Sequence, residues 1–204
     1  MRIPTGDELR ETVAMLDRVS VADEIFPSER HPDFVQTEWA EGWGYASIGV
    51  EEAVRFLTEH RAELGASIDQ VGIVVFFLQR HRVELALKEL LDTRKVDLRE
   101  IKSPHSLSAL WHLCAETLGR DSDEWVFIDG AGGELVALLD EQDRSSHTYR
   151  YPVDRDGNRH QRPPFIDLSA LDKHVSNLVW AIRGFLDYAA EADQAQAYHA
   201  GAGS

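Results

Sequence analysis

Apolar residues recur at helical rather than strand spacing along most of the chain. Leu9, Val13 and Leu16 share one face of a helix expected over 7–19, opened by a Thr5/Glu8 capping box. Residues 20–46 interrupt the pattern with two Pro, two Gly and the aromatics Phe26, Phe34, Trp39, Trp43 and Tyr45. That many aromatics argue for a strap lying on a core rather than a disordered linker. Val50, Val54, Leu57 and Leu64 then define a helix over 49–64, closed by Gly65. Ser67 caps a longer helix over 68–92. Its first half, Val71 to Leu78, is apolar nearly all round, as expected of a buried central helix. The β-branched run Val71-Gly72-Ile73-Val74-Val75 alone reads as a strand. The pattern continues through Val83, Leu85, Leu87, Leu90 and Leu91, however, and that length selects helix.

Ser103-Pro104 predicts the start of another helix, with Ser as cap and Pro in its first position. Leu107, Leu110, Trp111, Cys114 and Leu118 form its apolar stripe, and Gly119 ends it. Over 122–142 the stretch Gly130-Ala131-Gly132-Gly133 is expected to break the helical pattern into pieces. Tyr149-Arg150-Tyr151-Pro152, followed by Asp156-Gly157-Asn158, reads as a short hairpin or ordered loop near 145–165. A last long helix spans 167–189, with Leu171, His174, Val175, Leu178, Val179, Ile182, Phe185 and Leu186 facing inward. The Ala/Gly/Gln-rich tail 191–204 is expected to fray. The expected architecture is all-α: a helix and aromatic strap over 1–47, a helical bundle over 48–190, and a flexible tail.

One charged cluster departs from this apolar scheme. Arg80, Glu84 and Lys88 are spaced i, i+4, i+8 on one face of the central helix, so they can pair in series. His81 lies about 100° round from Arg80, beside the apolar stripe. Charges placed midway along an apolar helix are costly unless they satisfy one another, so such a group either performs a function or fixes packing. A bland reading, a salt-bridge ladder where the helix emerges into solvent, stands beside the functional one. His105 is a further candidate. In the first turn of the helix expected from Ser103, the helix dipole would favour a neutral imidazole able to act as a general base.

Composition narrows the options. The chain has 204 residues, 43% of them hydrophobic, enough for one domain with a real core. A single cysteine, Cys114, rules out an internal disulfide framework and a cysteine zinc site. No stretch approaches the ~18 apolar residues of a membrane span, and the N-terminal residues lack a signal-peptide core, so a cytoplasmic location without membrane association is expected. His105 and His112 share a face but sit about 10 Å apart, too far for one ion unaided. No HExxH, phosphate loop or GxSxG elbow occurs, and neither metal nor cofactor is expected. The net charge of -15 argues against a broad nucleic-acid surface. Residues 80–105 and 144–173 nevertheless each lean basic, and could meet as a local cationic patch or remain solvated faces with local ion pairs.

The phrase Phe77-Leu78-Gln79-Arg80-His81-Arg82-Val83-Glu84-Leu85-Ala86-Leu87-Lys88, then His105-Ser106-Leu107-Ser108-Ala109-Leu110-Trp111 and the late Tyr149-Arg150-Tyr151-Pro152, resembles the HEPN-like helical proteins of prokaryotes. The resemblance covers roughly residues 48–190. It implies an up-and-down helical bundle. For many members it also implies a metal-independent ribonuclease assembled across a homodimer, serving as a toxin or antiphage-defence effector. Other members have lost catalysis and bind a partner protein or regulate a neighbouring effector. The nuclease members carry Arg-x(4–6)-His, with Arg on the phosphate and His moving a proton at the 2′-hydroxyl. Three such spacings occur here, Arg55/His60, Arg99/His105 and Arg155/His160, none on a late bundle helix where the family carries it. For such a ribonuclease the unusual placement of the cluster in an apolar helix makes Arg80, His81 and His105 the expected catalytic residues, with Glu84 orienting Arg80 or His81. The expected partners are RNA, a second copy of the chain, or a protein of a defence or toxin–antitoxin system. A small-ligand or nucleotide sensor built on the two basic segments is a further reading.

Overall fold

The computed structural model describes residues 42–60, 63, 67–143, 148–151, 153–154, 156–162 and 165–201. The helix expected over 7–19 and the strap as far as residue 41 lie outside them. Five α-helices span the described residues: α1 Trp43–Glu59, α2 Ile68–Thr93, α3 Leu107–Leu118, α4 Asp123–Gln142 and α5 Leu168–Gly201. A 3-10 turn, Leu98–Glu100, lies between α2 and α3. The all-α bundle holds. No helix among the described residues is long and apolar enough to cross a membrane.

α2 is the centre. Ser67 caps it with a complete capping box: its hydroxyl accepts from the Gln70 amide, and the Gln70 side chain accepts from the Ser67 amide. Val75, Val83, Leu87, Leu90 and Leu91 are fully buried along it, and α1, α3 and α5 pack around it. Contacts along the chain set the directions. α1 runs against α2, with Val54 on Val71 and Val75 at one end and Trp43 over Lys88 at the other. α5 runs with α2: Asp172 meets Gln79, Ser176 meets Arg82 and Phe185 meets Arg94. α4 runs against α3, joined by Trp111 to Trp125 and Asp129 and by the Leu107 amide to Asp140.

α3 departs from a strict up-and-down order, because it runs parallel to α2. His105, just before α3, meets Glu84, and Cys114 meets Leu87 further along. The chain must therefore double back along α2 over residues 94–106. Lys95 adopts a left-handed φ of 64° to make the turn, and the Val96 amide closes it onto the Leu91 carbonyl. Val96, Leu98 and Ile101 then lay their side chains on the core, so the returning segment is held by its own apolar residues.

Several boundaries differ from the sequence reading. α1 begins at Trp43, so Trp43 and Tyr45 belong to a helix rather than to the strap. α3 begins at Leu107 with Ser106 as cap, not at Ser103-Pro104, which forms the preceding turn. α4 is continuous through its glycines. Gly132 is there because α5 presses on it: a Cβ would fall 2.6–2.8 Å from three carbons of Leu178. α5 continues to Gly201, twelve residues past the expected end. In the expected hairpin or ordered loop, the described residues form one antiparallel bridge, Val153 with Arg159, around Gly157 at φ 82°.

Candidate functional site

The cluster of α2 does not emerge into solvent; it is the buried hub of the bundle. Arg80 is fully buried and reaches three parts of the fold. Its Nε donates to the Asp143 carbonyl at 2.9 Å, just past the end of α4. Nη2 donates to the His105 carbonyl at 2.5 Å, and Nη1 to Glu84 Oε2 at 3.2 Å. Every nitrogen of the guanidinium is thus occupied by the protein. This argues against Arg80 as a phosphate ligand: the side chain is fully buried, and each of its three nitrogens already donates to the protein.

Glu84 is equally buried and accepts from all sides. Oε1 takes Lys88 Nζ at 2.7 Å and His105 Nδ1 at 2.9 Å, while His81 Nδ1 stands 4.0 Å from Oε2. Burial alone would push the Glu84 carboxyl up. The donor groups of His81, Lys88 and His105, with the charge of Lys88, outweigh it and hold the carboxyl well below the usual carboxylate range. Lys88 is covered in turn by the Trp43 ring at 5.3 Å. Arg80 and Lys88 carry two positive charges, and Glu84 and Asp143, whose Oδ2 lies 3.9 Å from Arg80 Nε, carry two negative ones. The buried set is therefore balanced, and neither imidazole is needed as a counter-ion.

His105 reaches this hub because of the local sequence around it. The Ser106 hydroxyl caps α3 by accepting from the Ala109 amide, and buried Asp140 of α4 accepts from the Leu107 amide at 2.8 Å. These bonds pin the start of α3 beside the end of α4, and Pro104-His105 forms the turn in front. His105 is therefore in the turn before the helix, not in the helix's first turn as the sequence suggested, and it lies beside the middle of α2. An ionised carboxylate only accepts, so Nδ1 of His105 carries the hydrogen and Nε2 is left as its basic atom. The side chain remains 58% exposed. His81 is 36% exposed and stacks on Phe77, over which Arg150 also lies at 5.4 Å. The buried carboxylate thus holds one surface imidazole, His105, by a hydrogen bond, with a second, His81, standing near it and an arginine at the rim.

Neither the Arg55/His60 nor the Arg99/His105 spacing brings its arginine to such a site. Arg55 is exposed and pairs with Glu52 and Glu59, and His60 stacks on Phe56 at the end of α1. Arg99 is exposed and pairs with Asp97. Arg155 lies outside the described residues. Of the basic residues of 80–105, Arg80, Arg82 and Lys88 are buried in ion pairs, while Arg94, Lys95, Arg99 and Lys102 are exposed. Burial pushes the Cys114 thiol up to about 12, so it is not a nucleophile. Among the described residues no group of three His, Cys, Asp or Glu could hold a metal ion. Sequence reasoning missed Asp143, Trp43, Phe77 and Arg150. Asp143 lies 63 positions from Arg80, and nothing in its neighbourhood marks it.

Fold and site together define an all-α bundle with a buried carboxylate hub that holds the surface residue His105 and lies close to a second histidine, His81. No protein-family model, no curated protein and no solved structure matches the chain.

Proposed function

We propose that the protein is a metal-independent RNA-cleaving enzyme of the HEPN-like kind, with His105 and His81 as its acid–base pair. The observation that carries this reading is the Glu84–His105 contact. A buried, ionised carboxylate holds Nδ1 of a largely exposed imidazole at 2.9 Å and leaves its Nε2 to exchange a proton. His105 takes the proton of the 2′-hydroxyl as its oxygen attacks the adjacent phosphorus. His81 protonates the departing 5′-oxygen, leaving a 2′,3′-cyclic phosphate and a 5′-hydroxyl. Arg150, lying with His81 on Phe77, supplies the positive charge at the phosphate that Arg80 cannot. Glu84 positions both imidazoles, and Arg80 positions Glu84 and the His105 turn. The resemblance extends this to a cytoplasmic toxin or antiphage-defence effector acting as a homodimer.

The test is incubation of the purified protein with total RNA and transfer RNA in EDTA, beside His105→Ala and His81→Ala. Cleavage by the wild type, reduced at least a hundredfold in each variant, is expected, as is typical for loss of a general acid or base. No cleavage by the wild type, or equal cleavage by all three, overturns it. The complete burial of Arg80 favours a second reading, a catalytically inactive HEPN-like module that binds a partner protein, and an inactive wild type would leave that reading in place.

A further inference from the structure

A cavity of about 440 Å³ opens between the first turns of α2 and the segment leading into α5, two turns back along α2 from the histidines. Ile73, Phe165, Ile166 and Leu168 give it apolar walls, and Phe165 is almost wholly exposed. Three polar side chains complete the lining: Asp69, Tyr149 and Arg162. Tyr149 is only 5% exposed, packed on Phe76 with a ring separation of 4.0 Å, yet its hydroxyl has no hydrogen-bond partner among the described residues. A buried phenol hydroxyl normally has one. Arg162 lies over the Tyr149 ring at 5.3 Å. Its Nε and Nη2 donate to the Thr148 carbonyl, and Nη2 donates also to that of Tyr151 at 3.1 Å. Its Nη1 donates to no described residue. Tyr149 and Arg162 thus both line this apolar cavity, and each has a hydrogen bond still to give.

We infer that this cavity binds a small apolar monocarboxylic acid, its carboxylate held by Arg162 and the Tyr149 hydroxyl and its body laid against Ile73, Phe165 and Leu168. Two donors, one of them charged, call for an anionic acceptor, and the walls call for an apolar remainder. Asp69 makes no ion pair with Arg162, so it stands apart as a negative charge on the same wall. It repels a second carboxylate on the ligand and restricts the class to single acids. This inference does not rest on RNA cleavage and does not involve the histidines.

Isothermal titration of the full chain with 3-phenylpropionate, 3-phenylpropanol and 2-benzylsuccinate tests it. The single acid should bind at least tenfold more tightly than the alcohol or the diacid. Tyr149→Phe should weaken it roughly three- to tenfold, the worth of one ordinary hydrogen bond, with an unchanged melting temperature, because the hydroxyl has no partner to lose. Gly72→Leu, whose side chain grows from the cavity wall toward Leu168, should abolish binding without loss of fold. Equal affinity for acid and alcohol, undiminished acid binding in both variants, or a lowered melting temperature in Tyr149→Phe would each overturn the assignment.

Discussion

Truncation of Arg80 should unfasten three elements at once. The side chain is fully buried, and its bonds to the carbonyls of His105 and Asp143 and to Glu84 tie α2 to the start of α3 and the end of α4. In Arg80→Ala, Glu84 keeps Lys88 but loses its second cation, two carbonyls lose a charged donor, and a long cavity opens. Removing one partner of a buried ion pair costs roughly 3–5 kcal/mol, because the other is left uncompensated. Full desolvation of the two carbonyls would add to this, but water entering the cavity offsets part of it, so the range stands. For a chain of this size each 1 kcal/mol lowers the melting temperature by about 2–4 °C, so a fall of roughly 6–20 °C is expected. Circular dichroism melts and urea titrations measure it. Arg80→Lys keeps the charge but cannot span both carbonyls, and should fall between. Arg99→Ala, an exposed arginine paired with Asp97, should leave the melting temperature where it is. A melting temperature for Arg80→Ala within 2 °C of wild type would refute the hub.

Other predictions follow from neighbouring geometry. Because the Glu84 carboxyl is held low in the fold, its stabilisation is complete above the ordinary value of 4.5 and is lost as pH falls below it, so the stability gap between wild type and Glu84→Gln should narrow from pH 7 to pH 3 in urea melts. Glu89 has the opposite sign: burial raises its carboxyl, so ionisation costs stability as pH rises, and Glu89→Gln should melt higher than wild type at pH 7 and equally at pH 4. Gly132→Ala should destabilise by about 1–3 kcal/mol through its collision with Leu178, whereas Gly130→Ala, with nothing within 4 Å, should stabilise by roughly 0.5–1 kcal/mol in urea titrations. Lys95→Gly should raise the melting temperature slightly, since a left-handed turn suits glycine.

Periodicity made α2 legible almost to the residue, because one helix carries both a complete capping box and an unbroken apolar run. The i, i+4, i+8 pairing of Arg80, Glu84 and Lys88 was legible for the same reason, being local. What the pattern hid was non-local. The glycines of α4 read as helix breakers, since glycine is a poor helix former, but the price at Gly132 is outweighed by close packing on Leu178. Pro104 pointed to a helix start, but the turn took it, because Ser106 offered a cap that Asp140 of α4 could reinforce. Asp140 sits 33 positions from Leu107, and no local rule anticipates it.

The returning segment after α2 matters most for the site. Had α2 and α3 formed an ordinary antiparallel hairpin, His105 would sit near residue 93 and Glu84 would face only its own helix. Val96, Leu98 and Ile101 instead draw the chain back over the core, which sets α3 parallel and delivers His105 to the middle of α2. The hub is then a consequence of topology. Arg80 bonds the carbonyl of His105 while Glu84 bonds its ring, so backbone and side chain of one residue are fixed from two adjacent turns of α2. A histidine used only as a surface residue requires neither bond. Anchoring both ends of an exposed imidazole through two buried charges is costly in desolvation, and that cost is accounted for if the exposed nitrogen has to be held in one place for proton transfer.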